Sequence, residues 1–314
     1  MNLDIPSSEE SLKRIKKYIN RTPLSYSERL SKQCGSEIYL KLENLQKTGS
    51  FKVRGALNKV VNMNSDRPVV AASSGNHGAA VSYALNKKNN KGKIYVPTSV
   101  KKLKAENIRS YGSEVIKFGD DCLDAENEAI RVSRENNYTF ISPYNDKDVI
   151  SGQGTIGVEI LEENDKIDVV FVTVGGGGLI SGIAHYLKSK NPDIKVIGCS
   201  PENSSIMINS IKHGKIINSQ SKDTLSDGSA GGVEEGSITF DLCRNLIDEY
   251  CLVSEEEIAN QIRDSLNYDK IVIEGSAAVA IASLLKMKKE FKDRNIAVII
   301  CGGNIGSETI KSIL

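Results

Sequence analysis

The sequence predicts an α/β fold made of two open, twisted parallel sheets with helices on both faces. Three observations carry that expectation. Short β-branched runs recur at 69–72, 93–96, 115–118, 169–174, 195–199 and 297–301, and each ends at a turn residue. Most of these runs lead into helix-like stretches, the arrangement of buried parallel strands joined by crossover helices. The runs are too many for one small sheet and fall into two groups, residues 65–146 and the C-terminal half.

Each element follows in chain order. Thr48-Gly49-Ser50 reads as a turn and N-cap, with a helix over 51–61 that places Lys52 in its first turn. The run 69–72 enters Ser73-Ser74-Gly75-Asn76-His77-Gly78 and then an apolar helical stretch. Gly152, Gly154 and Gly157 form a literal G-x-G-x-x-G, but the stretch 144–150 before it is polar and turn-like. A dinucleotide site needs a strand there, so the match is read as accidental. The run 169–174 meets four glycines, Gly175 to Gly178, and a helix over 179–187. Residues 212–223 are Ser/Lys/Asn-rich and come nearest to a linker, and 297–301 ends at Gly302-Gly303. Ligands bind at the carboxyl ends of such strands, so the turns after Ala72, Val174 and Cys301 are where chemistry is expected.

Composition narrows the function classes. The chain has 314 residues, 39% apolar and 26% charged, with a formal net charge of +1. That balance argues against nucleic-acid binding as the main function. The six cysteines form no C-x-x-C pair and no zinc-like cluster, which suits reduced thiols in a reducing compartment. Residues 1–17 lack the apolar core of a signal peptide, and no apolar run reaches membrane-spanning length. A cytoplasmic protein with no membrane partner is expected.

Three segments have chemical character. The glycines at 175–178 let backbone approach an anion, and the N–H groups with the helix dipole favour a phosphate; a tight turn without ligand fits them too. The run is neither a Rossmann fingerprint nor a Walker A motif. Lys52 alone reads equally as a solvated surface charge; burial or nearby cations would make it a reactive amine. The Ser73–Gly78 turn gathers hydroxyls, an amide and an imidazole that suit a carboxylate or phenolic oxygen, or merely cap a helix.

Together these segments resemble the serine/threonine dehydratase and serine racemase family of fold-type II enzymes dependent on pyridoxal 5′-phosphate, which have the fold of the tryptophan synthase β chain. The resemblance rests on Gly49-Ser50-Phe51-Lys52-Val53-Arg54-Gly55-Ala56, Ser73 to Gly78, Pro143-Tyr144-Asn145, Gly152-Gln153-Gly154-Thr155, Gly175 to Leu179 and Cys301-Gly302-Gly303-Asn304, in this order over nearly the whole chain. It implies a large cofactor domain of residues 1–64 and 147–314 and a small mobile domain of 65–146. It further implies that Lys52 holds the cofactor as a Schiff base and then removes the Cα proton. Gly175, Gly176, Gly177, Gly178 and Leu179 would hold the phosphate, Asn76 the phenolic oxygen, and Phe51 would flank the ring. Ser73, Ser74, Asn76 and His77 would hold the substrate, with Glu274 near the ring and Cys301 beside its nitrogen. The implied reaction is loss of water from L-threonine, L-serine or a related 3-hydroxy amino acid, giving a 2-oxo acid and ammonia. A homodimer or homotetramer is implied as well.

Departures from the family pattern shape the rest. Ser200 and Ile206 stand where metal-dependent relatives carry acidic ligands, so no metal is expected, although Glu202 is near enough in sequence to take such a role. Ser74 aligns with the acid/base of racemases, so racemisation is the alternative activity; a non-catalytic cofactor-binding relative is a weaker one. The loop reads Ser-Ser-Gly-Asn-His rather than the Thr-Ser-Gly-Asn-Thr of β-replacement enzymes. The glycine-rich stretch after Asp227 departs from the best-known threonine enzymes. The chain also ends too soon after Asn304 for the regulatory domain of biosynthetic dehydratases. A Cys301 thiol is a weak donor to the ring nitrogen, which favours prompt loss of a β-hydroxyl over transamination. Cys301→Asp is therefore expected to slow elimination; unchanged elimination kinetics in that variant would contradict the account.

Overall fold

The structure is a computed structural model that describes residues 4–63 and 67–314. The expected boundary between residues 64 and 65 lies outside the described residues. Ten strands appear among the described residues: β1 (Leu24–Tyr26), β2 (Glu37–Lys41), β3 (Val69–Ala72), β4 (Gly92–Val96), β5 (Glu114–Lys117), β6 (Thr139–Phe140), β7 (Val169–Thr173), β8 (Lys195–Pro201), β9 (Glu249–Val253) and β10 (Asn295–Ile299). They form a six-stranded sheet in the order β1-β2-β10-β7-β8-β9 and a four-stranded sheet in the order β5-β4-β3-β6. All pairings are parallel except β1 with β2.

The expected α/β class with two parallel sheets is what folds. The six runs read as strands all become strands, because continuous Val/Ile segments can be buried on both faces only inside a covered parallel sheet. Every residue of β7 is buried. Behind it the Gly275–Met287 helix presents a nearly unbroken row of buried small and aliphatic residues. The rings of Phe171 and Phe291 close this core edge to face, 5.7 Å apart and at 89°. The strands that pattern did not reveal are β1, β2, β6 and β9. They are short or lie toward the sheet edges, where half-burial breaks the apolar run.

Two local readings are corrected. Ser50 does not cap the Lys52–Asn62 helix: Phe51 is the N-cap residue, and Ser50 instead bridges to Gly302, its hydroxyl buried without a partner among the described residues. The region before the G-x-G-x-x-G is helical from Lys147, and the three glycines lie inside the Lys147–Glu163 helix. Their role is close packing. A Cβ on Gly152 would stand 2.7 Å from the Gly55 Cα, and one on Gly154 2.8 Å from the Gly182 carbonyl. Reciprocally, a Cβ on Gly182 would approach the Ile150 carbonyl and lie 2.6 Å from the Gly154 nitrogen. Hence the Lys147–Glu163 helix and the Gly178–Lys190 helix meet backbone to backbone. None of the helices among the described residues is long and apolar enough to cross a membrane.

Gly182→Ala tests this contact. Overpacking costs about 1–3 kcal/mol, and the clash here is with backbone that no rotamer change relieves. The better helix propensity of alanine returns only roughly 1 kcal/mol. A lower urea midpoint is expected; a variant as stable as the parent would remove the close-packing explanation.

Candidate active site

The carboxyl ends of β3, β7 and β10 face one cleft, and the Lys52–Asn62 helix starts beside it. Phe51 donates its backbone N–H to the Cys301 carbonyl at 3.0 Å, and Gly303 donates to Gly49 at 2.9 Å. These bonds tie the start of that helix to the turn after β10. Lys52 is half-buried, with its Nζ 2.8 Å from the Pro143 carbonyl and 5.2 Å from the centroid of the Phe51 ring. Burial lowers its amine to about 8, and the nearby Cys301 and Glu274 oppose the shift only partly. An amine in contact with a carbonyl rather than a carboxylate is easily neutralised, as a nucleophile or base must be.

The glycine turn leaves its amides disposed as an anion cradle would need them. Among the described residues no acceptor meets the N–H groups of Gly175 to Leu179, while the outward carbonyls are occupied. Thr239 donates its hydroxyl to the Gly176 carbonyl at 2.7 Å, and the Cys243 thiol lies 3.9 Å from the Gly177 carbonyl. Gly177 has φ +85°, and a Cβ there would press on the Cys243 sulfur at 2.7 Å. Gly176 and Gly178 lie against Tyr144, leaving no room for side chains. Unpaired amides at the N-terminus of the Gly178–Lys190 helix suit a phosphate.

The Ser73–Gly78 turn forms a second set of donors. The N–H groups of Asn76, His77 and Gly78, at the start of the Asn76–Lys87 helix, likewise meet no acceptor among the described residues. Ser73 accepts from the Gly75 N–H at 3.1 Å. The Ser74 hydroxyl lies near the Cys122 thiol, whose ionisation burial pushes up. The His77 ring is buried with Nε2 2.9 Å from the Ile141 carbonyl. A carbonyl only accepts, so Nε2 carries the proton. Burial and the charge of Lys52 hold the ring neutral, its pKa at about 3.

Glu274 is buried and accepts from the Asn76 side chain at 2.9 and 3.1 Å and from the Asn304 backbone at 3.0 Å. Asn304 also donates to the Asn76 side-chain oxygen at 2.7 Å. Burial raises the Glu274 carboxyl to about 7, the Asn76 hydrogen bond opposing and Asp227 adding. Cys301 is buried, and desolvation keeps its thiol well above the ordinary range and therefore protonated. The cleft thus brings together Phe51, Lys52, Ser73, Ser74, Asn76, His77, the 175–179 turn, Glu274 and Cys301. Four contributors carried no role in the sequence reading: the Pro143 carbonyl, Tyr144, Thr239 and Asn304. They lie in loops or support backbone, where periodicity has no signal.

A family model for pyridoxal-phosphate dependent enzymes matches residues 15–302. The chain is 42% identical to the L-threonine ammonia-lyase of Thermotoga maritima over 99% of its own length and 77% of that protein. It is 39% identical to the catabolic L-threonine dehydratase of Escherichia coli, over 97% of this chain and 94% of the relative. Maize serine racemase superposes with a TM-score of 0.92 at 33% identity, covering 98% of this chain and 96% of that one.

The cradle makes a direct prediction. Gly177→Ala places a side chain in a left-handed conformation and against Cys243, which costs about 1–3 kcal/mol. Binding of pyridoxal 5′-phosphate, followed by dialysis and absorbance, is expected to weaken about tenfold or more, since roughly 1.4 kcal/mol is tenfold. Unchanged affinity would show that the turn does not hold the phosphate.

Proposed function

This chain belongs to the pyridoxal-phosphate dependent enzymes, and on that footing we propose that it eliminates water from L-threonine or L-serine, releasing a 2-oxo acid and ammonia. The observation that carries the reading is an enclosed amine with lowered pKa, Lys52, near a glycine turn whose amides meet no acceptor among the described residues. The residues present fit the cofactor: a phosphate cradle, an amine to anchor it, and a neutral thiol rather than a carboxylate at Cys301. When bound, pyridoxal 5′-phosphate supplies an electron sink that acidifies the Cα–H bond of an amino acid joined to it.

The chain's own groups supply the rest. The amides of residues 175–179 would hold the phosphate, with Asn76 and Phe51 as the groups that would contact the ring. Lys52 would anchor the cofactor, and its amine, neutral at modest pH, is the group placed to take a proton from Cα. The free N–H groups of Asn76, His77 and Gly78, with the Ser73 and Ser74 hydroxyls, hold the substrate carboxylate; the His77 ring, turned to Ile141, keeps the turn in shape. Glu274 orients Asn76 through its two hydrogen bonds. The threonine substrate is inferred from the relatives named for threonine, and serine from the family resemblance. The resemblance further suggests closure of a mobile unit of residues 65–146 over the substrate, assembly as a homodimer or homotetramer, and a cytoplasmic location.

The purified protein is expected to form 2-oxobutyrate from L-threonine, or pyruvate from L-serine, with equal ammonia, and Lys52→Ala to abolish both. Absence of ammonia from either substrate with cofactor bound would reject the reaction. The pH dependence follows from the amine. With a pKa of about 8, the neutral fraction of Lys52 rises roughly fivefold from pH 7 to pH 8 and levels above pH 9. The rate at which the cofactor-free protein captures pyridoxal 5′-phosphate is expected to follow that curve; a rate still climbing tenfold per unit at pH 9 would mean an ordinary lysine.

A further inference from the structure

Two residues beyond Lys52, on the same helix, Arg54 is fully buried. Its guanidinium forks onto Glu43, Nε to Oε2 and the second terminal nitrogen to Oε1, both at 2.7 Å. The same group reaches Glu159 on the Lys147–Glu163 helix with two contacts of 2.8 Å, and the Thr155 hydroxyl at 3.2 Å. Lys41, also fully buried, shares Glu159 at 2.8 Å. Two buried cations thus face two buried carboxylates, with the more exposed Glu163 at 3.3 Å from Lys41. Nothing in the chemistry above uses these charges, and burying them is costly unless their geometry is put to use.

Their placement suggests the use. Glu43 lies just past β2, Arg54 in the first turn of the Lys52–Asn62 helix, and Glu159 on the helix that follows the Pro143 loop. The far ends of these two helices are tied separately: Lys59 meets Asp146 at 2.7 Å and Asp148 at 3.2 Å. The end of the pair that carries Lys52 is fastened by Arg54. We propose that Arg54 is a positioning residue for Lys52, its fork on Glu43 and Glu159 holding the first helical turn so that the amine stays walled in against the Pro143 carbonyl. Arginine suits this better than lysine, because one planar group can serve two carboxylates in fixed directions. The inference rests on Lys52 being the reactive amine.

The test reads that amine without the cofactor. Cofactor-free protein is acetylated with acetic anhydride across pH 6–11, and labelling of the Lys52 peptide is followed by mass spectrometry. The parent midpoint is expected near 8. Arg54→Lys keeps the charge and loses the fork, so water reaches the amine and the midpoint rises by about one unit, a tenfold fall in the neutral fraction near neutral pH. Lys188→Met, which cuts an ion pair with Asp248 at the opposite end of the large sheet, leaves the midpoint unchanged. A folded Arg54→Lys protein, judged by circular dichroism, with the parent midpoint overturns the proposal. If Arg54→Lys does not fold, Glu43→Gln decides: loss of a nearby negative charge alone would lower the midpoint, whereas a loosened turn raises it. A parent protein that titrates near 8 yet fails to bind pyridoxal 5′-phosphate would reject the functional reading and leave this inference standing.

Discussion

A primary amine must stay close to neutral while enclosed by protein, and much of this structure is arranged around that requirement. Desolvation alone lowers Lys52, and any carboxylate in contact would undo it. Every buried carboxylate in the region is therefore engaged elsewhere. Glu43 and Glu159 are held by Arg54 and Lys41. Glu274 is occupied by Asn76 and Asn304 and is itself pushed toward its neutral form. What remains for the Lys52 amine is a carbonyl, which accepts a hydrogen bond without fixing the charge.

The complementary feature is a supply of donors with nothing to do. Helix N-termini leave amides unpaired, and most proteins cap them with side chains. Here neither the Asn76–Lys87 helix nor the Gly178–Lys190 helix has a side-chain cap, and both begin at the same cleft. Amides left in this state are free to take an anion without first breaking a protein hydrogen bond. The Thr239 hydroxyl and the packing of Tyr144 keep the second set turned inward without filling the space.

Much of this was legible in residue order. The α/β class followed from buried β-branched runs, and the six runs found are the strands that position the glycine turns. The glycines at 175–178 pointed to an anion site because backbone without side chains can approach an anion closely, although a tight turn without ligand fitted them too. Other features escaped. Gly152, Gly154 and Gly157 looked like an accidental dinucleotide motif, yet Gly152 packs on Gly55 and Gly154 on Gly182, partners that are remote in sequence. Ser50 looked like a cap and is instead a bridge to Gly302. In both cases the deciding neighbour lies on a distant segment.

The sequence by itself determined the class of fold, the strand-to-turn points where ligands are expected, and the family to which the chain belongs, because these depend on local pattern and on the order of short motifs. It could not determine the state of any one group. Lys52 in the sequence is an ordinary helix-start lysine, and His77 an ordinary imidazole. Only the tertiary structure decided that the first sits against Pro143 with a lowered pKa and that the second is a neutral donor to Ile141. Protonation depends on burial and on charges within a few ångströms, and those neighbours come from parts of the chain far apart in sequence.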